Sequence, residues 1–215
     1  MDMVELMLGH RFVMLYHPAL PTSALTPQQT LQQSVDIVNS YMQQHGRDLS
    51  LWEYGIQDEA ARLVNVNVIY QNLIHEPIRK PILVHFEGSQ LMVDCGDTRL
   101  MALSLCLNPP MVSVIATTLV QHRERYSDWQ QINSVAELVT AAGMQIGSAQ
   151  VYYTPAQDDA DYAVSWLEVG DATTAHHLHS METKIQMLQH YLDQQPVDFK
   201  FSIPWVRQAI SWNVT

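Results

Sequence analysis

Residues 81–106 constrain the fold more than any other part of this chain. Pro81 opens an apolar, β-branched run of Ile82, Leu83, Val84, His85 and Phe86; Glu87, Gly88 and Ser89 break it, and Gln90, Leu91, Met92, Val93 and Asp94 resume it. Two strand-length runs around a glycine-bearing break read as a hairpin. Cys95 and Gly96 then form a turn into an apolar helix over residues 99–106, and Asp97 and Thr98 before it carry oxygens able to cap free backbone N–H groups. Asn108, Pro109 and Pro110 stop that helix, and the β-branched stretch 111–120 suits a buried strand.

The flanking sequence supplies further elements. Residues 3–16 are dense in Met, Leu and Val but carry Gly9, His10 and Arg11, and are read as a strand. Three prolines in 17–27 break regular structure, and Thr26 with Pro27 predicts the start of a helix that ends near Gly46. Its stripe is Leu31, Val35, Val38 and Met42. A second helix is expected over 58–73, with Asp58 and Glu59 near its N-terminal end and Leu63, Val66 and Tyr70 on one face. It leads to His75, Glu76 and Pro77. Asn133 or Ser134 caps a helix over 135–142, with Gly143 at its end. Two strands, 149–154 and 162–169, form a hairpin around the acidic turn 157–161; a helix covers 174–194 and a last strand 198–203.

With 215 residues, the chain is long enough for a substantial core. Its formal charge of −11, from 22 acidic and 11 basic groups, makes a non-specific grip on duplex DNA an unfavourable expectation. Two cysteines, Cys95 and Cys106, make neither a disulfide framework nor a four-ligand zinc site, which suits a reduced, cytoplasmic protein. The longest apolar runs are strand-sized, so no membrane span is expected.

A strand, a turn with one glycine and a helix opening on Thr98 and Arg99 is a layout that holds phosphate. Free N–H groups at the helix start point at the anion, glycine permits close approach and arginine offers a planar double donor. An ordinary capped helix has the same pattern. Arg79, Lys80 and Arg99, with His85, place three of the 11 cations around the hairpin, a local positive spot on an acidic protein. Short-range donors dominate there, since distant charges are screened over ~10 Å. A small anionic ligand fits better than a long polyanion; equally, Arg79 and Lys80 suit a solvated strand entrance.

The same residues resemble the core of the ParB/sulfiredoxin-like superfamily: Pro81 to Val84 as its first strand motif, then the segment from Leu91 through Gly96, Asp97, Thr98 and Arg99 to Leu103, then a strand introduced by Pro110. The resemblance spans residues 76–118. It implies an α+β fold with a mixed-sheet core, placed here at 76–145, and leaves both ends unexplained: the residue pattern adds an N-terminal helical region over 1–75, expected to pack on the core, and a C-terminal α+β extension over 146–215. Members include CTP-binding partition proteins, sulfiredoxins and a free-serine kinase, in which the G-x-x-R turn lies against nucleotide phosphates. The resemblance thus implies a nucleotide or phosphate ester bound by Gly96, Thr98 and Arg99, with Arg79, Lys80 and His85 nearby. It further implies phosphoryl transfer or nucleotide hydrolysis, with Asp94 or Asp97 as base or as ligand to nucleotide-borne Mg²⁺. The sulfiredoxin cysteine falls at the position of Asp97 here, so that chemistry is not expected. Cys95 stands where many members carry an acid or a glycine. A non-catalytic interaction protein and a DNA-associated partition or nuclease-like factor are the alternatives, and self-association is left open.

Other patterns are weaker. His176, His177 and His179, with His190 farther on, lack the spacing of a metal set, because His177 points about 100° from the other two on a helix. Asp158, Asp159 and Asp161 lack the glycine and terminal glutamate of a calcium loop. Met92, Met101 and Met111 are read as core, as is Cys106. The tryptophans are too dispersed for a stacking platform.

Overall fold

A computed structural model describes residues 12–73, 78, 80–143, 148–154, 164–170 and 180–208. Contacts divide the chain into two compact units that interleave along the sequence: residues 1–28, 78–97 and 108–173 form one, and 29–77, 98–107 and 174–215 the other.

The first unit holds a six-stranded mixed sheet in the order β2-β4-β3-β5-β1-β6. Its strands are β1 (Phe12–Leu20), β2 (Leu25–Thr26), β3 (Ile82–Glu87), β4 (Gln90–Cys95), β5 (Val112–Leu119) and β6 (Gln130–Ile132). β5 pairs in parallel with β3 and antiparallel with β1. Flanked on both edges, it is buried from Val114 to Leu119, which is why it reads as a continuous apolar run rather than an alternation. The β3–β4 hairpin turns through Gly88 and Ser89, and the positive φ of 60° at Gly88 suits a residue without Cβ. A separate antiparallel pair, β7 (Ser148–Thr154) with β8 (Val164–Gly170), matches the expected hairpin. Helix α4 (Val135–Ala141) starts at Ser134, whose hydroxyl accepts the Glu137 N–H, and ends before Gly143.

The second unit is helical. It contains α1 (Leu31–His45), α2 (Tyr54–Asn72), all but the first residue of α3 (Asp97–Leu103), α5 (Met181–Asp193) and α6 (Ile203–Gln208). The expected stripe of α1 is buried at Leu31, Val35, Val38 and Met42. Each such side chain contributes roughly 1.5–3 kcal/mol on burial.

Several sequence expectations are corrected. β1 continues through Pro18 to Leu20, tolerated because the ladder to β5 is irregular between His17 and Leu20. Helix α1 begins at Leu31 rather than at Pro27, because Thr30 and Gln33 form a reciprocal capping box. Helix α2 begins four residues before Asp58, and Glu59 is buried, accepting from Gln29 Nε2 at 2.9 Å and facing Arg62 at 3.7 Å. Helix α3 starts on Asp97 and stops at Leu103, ahead of the prolines.

Residues 198–203 are not a strand. Asn39 closes the backbone of Phe201 from both sides, accepting its N–H at 2.7 Å and donating to its carbonyl at 3.0 Å, so a side chain supplies what a neighbouring strand would. Phe199 and Phe201 then both reach the ring cluster of Tyr191 and Trp205. Met101 is core as expected, but Met111 is 56% exposed. No helix among the described residues is long and apolar enough to cross a membrane.

Candidate functional site

Strands β3 and β4 bring His85 and Asp94 together. In the hairpin, Glu87 faces Gln90, Phe86 faces Leu91, His85 faces Met92 and Val84 faces Val93. A regular ladder would next set Leu83 against Asp94, but Leu83 instead faces Cys95. Asp94 is thus the extra residue of a β-bulge, a device that re-aims a side chain. Its Oδ1 lies 2.7 Å from His85 Nδ1. The two side chains are largely buried, 14% exposed for His85 and 8% for Asp94.

This pairing changes what Asp94 can do. Oδ1 is committed to His85, and Oδ2 is covered and has no hydrogen-bond partner among the described residues. Burial pushes the Asp94 carboxyl above its ordinary pKa, and the hydrogen bond and charge of His85 offset this only in part. A carboxylate so enclosed does not fit a Mg²⁺ ligand, which needs an oxygen open to an octahedral shell. Nor does it fit a base that meets a substrate directly.

The turn itself is built as the sequence suggested. Gly96 follows β4 with φ 127°, a backbone conformation in which a Cβ is disfavoured, and α3 begins on the next residue. Gly96, Asp97, Thr98 and Arg99 are all partly buried. Asp97 has a local structural duty: its Oδ1 accepts the Gln28 N–H at 3.1 Å, tying the segment after β2 to the start of α3. That engagement weakens its fit as a Mg²⁺ ligand or base. Lys80 is partly buried just before β3, whereas Arg79 lies outside the described residues.

His176, His177, His179, Asp158, Asp159 and Asp161 also fall outside them. His190 sits on the exposed side of α5 with Nε2 2.8 Å from Gln194 Nε2. Among the described residues, no three His, Cys, Asp or Glu side chains converge so as to hold a metal ion.

The sequence reading placed His85 and Asp94 in separate roles and missed their contact. Hairpin register was the available signal: across a two-residue turn, His85 opposes Met92, and Asp94 is that residue's next neighbour on the same face. It also missed the aromatic group beside β3, where Phe86 stacks on Tyr126 at 3.9 Å and meets Trp129 edge-on, as does His17. Arg123 holds the loop carrying these rings by donating to the carbonyls of Tyr126 and Trp129 at 2.7 and 2.9 Å.

Comparison with known proteins finds no matching family model, no similar curated protein and no similar solved structure, so the site is interpreted from its own residues.

Proposed function

We propose that this protein binds a nucleotide or another phosphorylated small molecule at the turn formed by Gly96, Asp97, Thr98 and Arg99. The observation that carries the reading is the positive φ of Gly96 at the end of β4, directly ahead of a helix with Thr98 and Arg99 in its first turn. First-turn N–H groups have no acceptor within their own helix, and the helix dipole favours an anion there. Arg99 supplies a guanidinium suited to two phosphate oxygens. The resemblance to the ParB/sulfiredoxin-like superfamily supports the same assignment, and Mg²⁺ would then arrive on the nucleotide's phosphates. The net charge of −11 favours a compact anion over a nucleic acid.

Thermal unfolding of the wild type and Arg99→Ala with ATP, CTP, GTP, ADP and inorganic phosphate, with and without Mg²⁺, tests this. A ligand at 100 times its Kd adds about 2.7 kcal/mol. A stabilisation present in the wild type and lost in Arg99→Ala supports the site; a folded wild type that responds to none of these ligands overturns it. A second reading, an interaction protein without turnover, draws on Leu107 at 94% and Met111 at 56% exposure on either side of Asn108, Pro109 and Pro110.

A further inference from the structure

We propose that the exposed corner joining α1 to α2 is a docking surface for a protein partner, and that it takes a lysine- or arginine-rich amphipathic segment with an apolar face. The surface lies within the helical unit and is independent of the phosphate reading.

The corner spans residues 48–58. Asp48 caps a single 3-10 turn, Leu49–Leu51, by accepting the Ser50 N–H at 3.1 Å, and α2 opens on Tyr54. Leu49 and Trp52 are buried and fix the corner from below. The Leu49 N–H donates to Gln189 Oε1 at 2.9 Å, its carbonyl accepts from Gln57 Nε2 at 2.8 Å, and the Trp52 indole donates to the Gly46 carbonyl at 3.1 Å. Tyr41 of α1 adds a brace, meeting Trp52 edge-on at 5.3 Å and accepting the Glu53 N–H at 3.4 Å. Above this base Leu51 and Tyr54 stand out, 75% and 73% exposed. Three positions apart, their Cα atoms lie within about 11 Å, so one ligand reaches both. Single exposed apolar residues are ordinary on a protein surface, but two on a braced corner are preorganised for contact.

The charge around the patch selects the partner. Asp48, Glu53 and Asp58 are all exposed, and Asp58 lies one turn from Tyr54 on the same face of α2. Glu53 makes no side-chain cap at the start of α2. The sequence has no Lys or Arg between Arg47 and Arg62. Arg47 donates to the carbonyls of Leu192, Gln195 and Pro196, and Arg62 faces Glu59. An anionic lipid surface or a nucleic acid is repelled by such a rim, and a second copy of this chain would set acids against acids in a two-fold contact. A cationic segment with an apolar stripe meets both features, its apolar side chains on Leu51 and Tyr54 and its cations on the acids.

The probe is a labelled helix-forming peptide of Leu and Lys, about 14 residues long, with two controls in which Glu replaces Lys or Ser replaces Leu. Anisotropy titration and ¹H–¹⁵N NMR of the full chain would be recorded with each. The Leu/Lys peptide is expected to bind, to shift the amides of Leu51, Tyr54 and Asp58, and to weaken as salt is raised. Leu51→Ser combined with Tyr54→Ser is expected to weaken it about 10-fold or more. Glu53→Lys combined with Asp58→Lys should also weaken it while strengthening the Leu/Glu peptide. All four side chains are exposed, and circular dichroism checks that the variants fold. No binding, shifts confined to other residues, equal affinity for the Ser/Lys peptide, or an affinity unchanged in either variant overturns the proposal. So does a concentration-dependent dimer in sedimentation that Leu51→Ser abolishes, which makes the occupant a second copy of the chain.

Discussion

In the helical unit, Asn39 uses its amide to close both backbone groups of Phe201, and Arg47 donates to the carbonyls of Leu192, Gln195 and Pro196 where α5 ends. In the sheet unit, Asp94 gives one oxygen to His85, and its other oxygen has no donor among the described residues. The first arrangement satisfies orphan backbone groups at a helix end and in an irregular segment, so its polar side chains act as structure. The second leaves a charged group under-satisfied, which folding alone does not explain. The helical unit has exceptions of its own among the described residues, at the amide oxygen of Asn67 and the indole N–H of Trp205, but both are neutral groups, and the indole ring packs against Tyr191 and Phe201. A carboxylate without a donor is the costlier defect.

Substitutions can break or sharpen this contrast. Asn39→Ala should be the most damaging, since it strands an N–H and a C=O of a buried residue; at about 1–3 kcal/mol for each group, urea unfolding should show a loss of several kcal/mol. Arg47→Ala removes a charged cap from α5 and should lose about 1.5–3 kcal/mol in the same measurement, with Arg47→Lys recovering part of it. Thr30→Ala breaks the capping box of α1 and should lose about 1 kcal/mol. If these three changes proved neutral, the helical unit's polar contacts would not be structural and the contrast would collapse.

The sheet unit should respond differently. Asp94→Asn should leave the ligand-free protein within about 0.5 kcal/mol of the wild type at pH 7, since it exchanges an under-satisfied buried carboxylate for a neutral amide. Its pH dependence has a definite sign. Asp94 binds its proton more tightly in the folded state, so its contribution is complete below the unfolded-state value of about 3.9 and is lost as pH rises through the raised folded value. Wild-type stability relative to Asp94→Asn should therefore fall with rising pH across that window. A difference that grows with pH would mean that His85 outweighs burial and that the pair is stabilising.

Legibility followed the range of the interactions. Stripe residues such as Val35 and Val38, the Gly88 hairpin turn and the Ser134 cap were readable because each depends on neighbours within a few positions. The start of α1 was misplaced because two cap signals compete there: Pro27 suits a first helical position, but Thr30 with Gln33 satisfies two backbone donors at once. Residues 198–203 alternate like a strand, yet Asn39, more than 150 positions away, decides their conformation. Within the site, Gly96 and its following helix were visible locally, whereas the role of Asp94 was not.

The sequence by itself determined the alternation of strands and helices, the hairpin, the glycine turn with Thr98 and Arg99 behind it, and an acidic charge balance. Periodicity, caps and turns are local, and composition needs no structure. Tertiary structure alone decided that two interleaved units form, that the bulge displaces Asp94 from Leu83 and that Asp97 serves the Gln28 backbone. Those outcomes depend on strand register and on which polar atoms lose water together, and neither is set until the strands have paired and the core has closed.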